Sequence, residues 1–367
     1  MKIAVAVARY SISGVPLAQI RLARALADAG HDIDLVVGFV PPELTLPEVP
    51  GVNRIVLGRD KVRGLLVPIA SYLRRVKPDV VFTAEDHLNA LVLVAAVLTR
   101  SKARISGSSR VTPFDTYSNK RFSKRWLLKH LMRAVTWRAD ALTCVSEDMV
   151  GQYRTVFRTS PHVAVYNIVD DARARASIAE AVDDPWFTEV REVPLAVGAG
   201  SLQPWKGFAD AIEAMAILRD RGVEIRFAIL GDGPLRGELE ALIARRGLED
   251  RVRLVGRVAN PLKYFARSDI FVLSSLVEGL PNVLVEAMMC GCTPVSTDCP
   301  TGPREVLQGG RFGYLVAMQD PTALADGITR ALAQPIDAER LAEAVLPFGE
   351  QIVLARHFEL LGLSQRG

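Results

Sequence analysis

The segment Glu278-Gly-Leu-Pro-Asn-Val-Leu-Val-Glu286 sets two carboxylates apart by seven residues, with glycine, proline and asparagine between them. An apolar run, Ile270–Ser274, precedes it and predicts a buried strand. A helix is expected to start near Pro281, since proline is compatible with the first helical turn, where its missing N–H has no partner to lose. The loop Glu278-Gly279-Leu280-Pro281-Asn282 would then present backbone N–H groups and the positive end of a helix. That is a site for a diphosphate or for sugar hydroxyls. Glu286 falls about one and a half turns further in. A carboxylate there can accept two hydrogen bonds from a ribose diol. Two glutamates at this spacing are also common by chance, as a helix cap and a surface residue. The glycine, proline and asparagine after a buried strand are the rarer feature.

Such a loop needs a scaffold, and the chain alternates short β-type runs with helical patterns from end to end. The runs are Ile3–Ala8, Ile33–Val37, Asn53–Leu57, Asp79–Phe82, Ala103–Ser106, Ala141–Val145 and Val163–Val165. Around residues 167–192 the rhythm breaks into a connector. It restarts at Pro194–Val197 and continues through Ile225–Leu230, Val252–Val255, Ile270–Ser274, Pro294–Ser296 and Tyr314–Val316. Strands separated by helices imply largely parallel sheets with helices on both faces. At 367 residues the chain exceeds one ordinary core. The expectation is an α/β protein of two doubly wound Rossmann-like domains, 1–170 and 171–350, facing each other across a cleft. The last helical stretch, 351–367, either caps the second domain or packs back on the first.

Composition excludes little else. Hydrophobic residues make up 49% and charged residues 23%, an ordinary folding composition, and the formal charge of +4 is mildly basic. Cys144, Cys290, Cys292 and Cys299 include no Cys-x-x-Cys pair and have no nearby His, so they read as reduced thiols rather than a zinc site. The N-terminal Met1–Arg9 is too short and too soon charged for a signal peptide. The longest apolar run, Leu88–Thr99, falls far below the roughly 20 residues that span a bilayer. The expected location is cytoplasmic, at the inner face of a membrane if any membrane is touched.

The Glu278/Glu286 segment runs on into Ala287-Met-Met-Cys-Gly291 and Val295-Ser-Thr-Asp-Cys-Pro-Thr-Gly-Pro-Arg-Glu305. With Gly231-Asp-Gly-Pro234, Gly256-Arg-Val258 and Gln203-Pro-Trp-Lys-Gly207, it closely resembles glycosyltransferase family 4. The resemblance is weaker in the first half, at Gly14, Ala29-Gly-His31, Val145-Ser146 and Tyr166-Asn167. It implies the GT-B fold and a retaining, hexosyltransferase-type enzyme using a nucleotide-sugar, with UDP favoured. By resemblance, Glu286 holds the nucleotide ribose and Glu278 stands beside the transferred sugar. The backbone of Gly279, Leu280, Pro281 and Asn282 holds sugar hydroxyls and phosphate. The loop Gly256–Val258 holds the base, and Gly14 lets the first loop approach the diphosphate. Lys206 matches the lysine that neutralises the diphosphate leaving group. A growing negative charge needs a fixed cation or a metal, and with Lys206 present no metal or other cofactor is expected.

The pattern has departures. The family commonly carries an arginine five residues before that lysine, and here the position is Ser201. Arg304, Arg110 and Arg257 are candidates to compensate. Asp32-Ile-Asp34, a D-x-D pair, brackets the start of a strand far from the donor loop and reads as structural. Gly231-x-Gly233 lacks the third glycine of a dinucleotide fingerprint, since position 236 is Arg.

The acceptor half is thinner. Many relatives place a His after the fourth strand of the first domain, but Ser106–Asp115 contains none. Asp86 and His87, at a strand's carboxyl end, and Arg110 and Asp115 are the substitutes, with helix capping as the plain alternative for Asp86. The family route needs no dedicated base if the leaving phosphate takes the acceptor's proton. The stretch 119–138 carries Lys120, Arg121, Lys124, Arg125, Lys129, Arg133 and Arg138 among Trp126, Leu127, Leu131, Met132, Val135 and Trp137. It reads either as a helix packed on the sheet with a solvated basic rim, or as a helix lying on an anionic membrane. The second reading favours a lipid-linked acceptor. The function expected is sugar transfer to a glycan or lipid-linked acceptor in cell-surface polysaccharide or glycolipid synthesis, with no nucleic-acid partner. A sugar-nucleotide epimerase of the same fold and a non-catalytic sugar-nucleotide binder are the alternatives.

Overall fold

A computed structural model describes every residue except 13, 158–160, 189–192 and 364–367. The chain divides into two units, Met1–Ile168 with Glu350–Gly367, and Val169–Gly349. The unit boundaries thus fall at 168/169 and 349/350. Residues 189–192 of the expected connector and 364–367 of the expected C-terminal helix lie outside the described residues.

The first unit is built on a parallel sheet of seven strands: β1 (Lys2–Arg9), β2 (Asp32–Phe39), β3 (Val52–Val56), β4 (Val80–Ala84), β5 (Arg104–Ser109), β6 (Ala141–Cys144) and β7 (His162–Ala164). Their order is β3-β2-β1-β4-β5-β6-β7. The central strands are apolar almost throughout, as burial on both faces requires. Ile3 and Val5 of β1 pack with Ile20, Ala23 and Leu26 of the helix Gly14–Asp28. The C-terminal helix Glu350–Leu360 joins this same core through Val353, Leu354 and Phe358. His357 stands edge-on to Phe82 of β4, with centroids 5.1 Å apart.

Asp32-Ile-Asp34 is structural in detail. Lys2 Nζ donates to Asp32 at 2.9 Å and to Asp34 at 2.7 Å, and Asp34 also accepts from Tyr72 OH and Asn53 Nδ2 at 2.7 and 2.9 Å. Burial opposes the charge on Asp34, but these donors outweigh it and hold the carboxyl below its ordinary range.

The second unit carries a parallel sheet of six strands: β8 (Leu195–Ala199), β9 (Arg226–Leu230), β10 (Val252–Gly256), β11 (Ile270–Leu273), β12 (Thr293–Thr297) and β13 (Tyr314–Val316), in the order β10-β9-β8-β11-β12-β13. Its core joins Ile212 and Met215 of the helix Phe208–Asp220 to Phe227, Val272, Val295 and Ile328.

In each sheet the chain winds outward in one direction, returns to the centre and winds out the other way. The reversal lies between β1 and β4 in the first unit and between β8 and β11 in the second. At such a point the loops leaving adjacent strands diverge to opposite faces and open a crevice at the strands' carboxyl ends.

Candidate functional site

In the second unit the loops after β8 and β11 border the switch point, and they are tied to each other. Leu276 N–H donates to Trp205 O at 2.8 Å, and Ser274 Oγ donates to Lys206 O at 2.8 Å. Gly207 makes this closeness possible. Its φ is +63°, and a Cβ there would lie 2.0 Å from the Ser274 carbonyl oxygen. The turn Gln203–Gly207 is thereby fastened to the end of β11, and Lys206 is delivered to the loop Glu278–Asn282.

Lys206 Nζ meets Glu278 Oε1 at 2.6 Å, and Ser275 Oγ donates to the same oxygen at 2.6 Å. The two charged side chains are 17% and 11% exposed, so the pair is mostly withdrawn from water. Behind it, Thr297 Oγ1 at the end of β12 donates to Ser275 O at 2.5 Å, and Thr301 Oγ1 donates to Glu278 O. Glu278 is therefore held by its backbone as well as its carboxylate. Ser275, Thr297 and Thr301 were not singled out from the sequence. Their signal, hydroxyl residues just past strand ends, is too common to stand out without the topology.

The loop Glu278–Asn282 differs in one respect from expectation. Pro281 has φ −77° and ψ +81°, an inverse γ-turn, and Asn282 N–H donates to Leu280 O at 3.0 Å. That N–H is spent inside the loop. Pro281 precedes the helix rather than opening it, and the helix runs Asn282–Met289. Leu280 and Pro281 are buried, while Gly279, Asn282 and Glu286 are half-buried.

Two further loops, after β9 and β10, complete this end of the sheet. Gly231 N–H donates to Gly256 O at 2.8 Å, and Leu202 N–H donates to Asp232 O at 3.1 Å. A Cβ on Gly231 would fall 1.8 Å from Gly200 O. Gly231-x-Gly233 is thus a backbone contact between strand ends, as its incomplete fingerprint suggests. It also carries Gly256, Arg257 and Val258 to the same end of the sheet as Ser201 and Lys206.

The remaining candidates stand in the first unit. Gly14 opens the helix after β1, with open space where its Cβ would be. Asp86 begins the helix Asp86–Thr99 after β4, but it lies inside the unit. Ser109 Oγ donates to it at 2.6 Å, Tyr153 OH also donates, and Asn89 Nδ2 reaches it at 3.4 Å. Burial pushes its carboxyl up against these donors. This corrects the expectation of Asp86 as a group meeting substrate: it anchors β4, β5 and the helix Glu147–Val156 to one another. His87 is exposed on the first turn of its helix, and Asp115 is exposed as well. Arg110, immediately after β5, is half-buried and donates to Asn167 Oδ1. Burial brings its guanidinium down to about 10, with Glu85 acting in opposition. Glu85, which the sequence reading passed over, sits at the β4 end with φ +74°.

Three comparisons with known proteins bear on this arrangement. The model of the glycosyl transferases group 1 matches residues 187–345, and that of Glycosyltransferase Family 4 matches residues 12–173. An N-acetylgalactosaminyltransferase of Campylobacter jejuni, named for N,N'-diacetylbacillosaminyl-diphospho-undecaprenol, is 30% identical over 258 residues, 69% of this chain and 67% of that one. The chain belongs to glycosyltransferase family 4. An uncharacterized glycosyltransferase of Methanocaldococcus jannaschii is 28% identical over 65% of this chain, which spans 60% of that relative's length. Among solved structures, HepE of Anabaena in complex with UDP and glucose superposes with a TM-score of 0.72 at 19% identity, covering 99% of both chains. The family-4 fold is thus GT-B, with two Rossmann-like units, and the group 1 match falls on the unit that holds Lys206, Glu278 and Glu286.

One departure from the family pattern is the serine at position 201. Ser201 is exposed. Arg304 is engaged by Asp298, through Nε at 3.1 Å and a second, shorter bond. Arg110 belongs to the other unit. Arg257, exposed at the carboxyl end of β10, makes no ion pair among the described residues.

The basic stretch is helical over Lys124–Val135, followed by a 3-10 turn at Thr136–Arg138. Only Met132 and Val135 are buried. Phe122 and Trp137 are 81% and 71% exposed, and Phe114, Leu127 and Leu131 are exposed beside them. Among the described residues, no helix is long and apolar enough to cross a membrane.

Proposed function

We propose that this chain is a retaining glycosyltransferase of hexosyl type that moves a sugar from a UDP-sugar to a glycan or lipid-linked acceptor in cell-surface polysaccharide or glycolipid synthesis. The observation that carries the reading is the desolvated Lys206–Glu278 pair, fixed by Ser275 at the switch point of the second unit. A cation and a carboxylate side by side match a donor's two ends: Lys206 meets the diphosphate, and Glu278 meets hydroxyls of the sugar attached to it. Glu286 accepts hydrogen bonds from the ribose diol, and Gly256–Val258 border the base. The UDP choice is supported by the UDP-bound HepE structure, and the lipid-linked acceptor by the name of the Campylobacter jejuni relative.

In the reaction, the bond from the anomeric carbon to the diphosphate oxygen breaks as a bond to the acceptor oxygen forms on the same face. The hydroxyl proton passes to the departing phosphate oxygen. Negative charge grows on the diphosphate, and Lys206 stabilises it more in the transition state than in the bound donor. The Lys206 ammonium fills the role that a metal would fill, so the reading requires none.

The direct test is incubation with a set of UDP- and GDP-sugars. A transferase releases nucleoside diphosphate slowly into water from its own donor. An epimerase interconverts sugars without release, and a binding protein does neither; either outcome would sink the proposal.

A further inference from the structure

Two adjacent carboxylates leave β4, and the fold uses them differently. Asp86 is consumed by the buried hydroxyls and amide described above. Glu85 is not. Its N–H donates to Ser108 O at 2.9 Å, and its carbonyl accepts from Leu88 and Asn89 N–H at 2.9 Å, so its backbone is fully engaged. Its half-buried carboxylate makes no hydrogen bond or ion pair among the described residues, and it does not cap the helix that follows.

The backbone at this residue is strained as well. Lys77 and Arg100 also have positive φ, but they end helices in the ordinary left-handed well. Glu85 combines φ +74° with ψ +127°, outside that well. Such conformations persist in folded proteins where surrounding structure enforces them, and they concentrate at functional sites. Here the backbone bonds of Glu85 to Ser108, Leu88 and Asn89 hold it, next to the buried Asp86 network. On the neighbouring strand, Arg110 follows β5 directly. Its Nε is buried without a hydrogen-bond partner, and its charge acts on Glu85 without an ion pair forming. A carboxylate and a guanidinium with unused capacity thus share the carboxyl ends of β4 and β5, beside the switch point where parallel sheets take their ligands.

We propose that Glu85 is the acceptor-contacting residue of the first unit: its carboxylate accepts a hydrogen bond from an acceptor saccharide hydroxyl. This rests on the transferase reading above. The charge of the nearby Arg110 helps to keep that carboxylate ionised. Asp86 is a positioning residue, acting only through the backbone it holds.

The test uses the full chain and two variants, Glu85→Gln and Glu85→Gly. Release of UDP from UDP-sugars in water reports the donor half. Formation of new glycosides on a panel of n-octyl glycosides reports the acceptor half, and thermal melts report the fold. Glu85→Gly should melt at or above the wild-type temperature, because glycine tolerates positive φ, and Glu85→Gln should melt with the wild type. Both should keep UDP release and UDP affinity, while kcat/KM for the glycoside acceptor falls by about tenfold or more, as expected for losing a hydrogen bond to a charged group. Acceptor kinetics equal to wild type would overturn the assignment. So would a joint fall of melting temperature and UDP release in both variants, which marks a structural residue. If the wild type itself releases no UDP from any donor, the transferase reading fails first, and this proposal with it.

Discussion

Replacing Lys206 with methionine tests the donor site most directly. The side-chain stem lies along Gly200, with its Cε, Cδ and Cγ within 3.8 Å of where a Gly200 Cβ would stand. Methionine keeps that packing and deletes only the charge. In the unliganded protein the change leaves Glu278 with the Ser275 hydroxyl and costs about 1 kcal/mol of stability, the low end for a partly satisfied buried group. In the complex it removes the cation facing the diphosphate. Hydrogen bonds to charged groups are worth about 1.5–3 kcal/mol, so UDP affinity should fall by about 10- to 150-fold. Uridine carries no phosphate, and its affinity should not change. Isothermal titration of both ligands at one ionic strength measures the contrast, since exposed charges are screened by salt. Glu286→Ala provides the complementary result: losing the ribose contact should weaken uridine and UDP by the same factor. The reasoning is refuted if Lys206→Met weakens uridine as much as UDP, or leaves both intact.

The other predictions concern the scaffold and the surface. Gly231→Ala should unfold the second unit or destabilise it by more than about 3 kcal/mol, because its Cβ meets a backbone oxygen that cannot move aside. Gly222→Ala, with φ +72° and open space, should cost only about 1 kcal/mol in urea titrations; equal costs would discard the close-approach argument. Burial lowers His162 to about 4 and His357 to about 3. Below the ordinary value near 6.5 the unfolded chain takes up protons that the folded first unit refuses, so stability falls with pH. From pH 7 to pH 5 the two together should cost about 4 kcal/mol, and His357→Gln should remove about half of that dependence. Vesicles containing anionic lipid should retain the protein through Phe122, Trp137 and the surrounding basic residues, and Lys120→Glu with Lys124→Glu should release it. Equal, negligible sedimentation with neutral and anionic vesicles would assign that helix to packing alone.

Several features were legible because local chemistry specifies them. The central strands appear as short apolar runs because both faces of a parallel sheet are buried, whereas the edge strand β3, with Asn53 and Arg54, was placed by the alternation of strands and helices. The Glu278–Glu286 segment stood out because glycine and proline at a strand–helix junction have few other uses. Lys206 could be matched by its neighbours Trp205 and Gly207, though nothing local said which carboxylate it would meet.

What stayed hidden depended on contacts distant in sequence. Ser275, Thr297 and Thr301 support Glu278 only because β11 and β12 are neighbours. Asp86, a candidate because it follows a strand, is buried because Ser109 and Tyr153, 23 and 67 residues away, bond to it. The positive φ of Glu85 sits beside that buried network, and no propensity of glutamate predicts it. The sequence by itself determined the family and the succession of most strands, and it singled out Lys206, Glu278 and Glu286 as candidates, since each is written in contiguous types and spacings. The tertiary structure alone decided which of two adjacent carboxylates is structural and which is available, because that choice is made by desolvation and by hydrogen bonds from other strands.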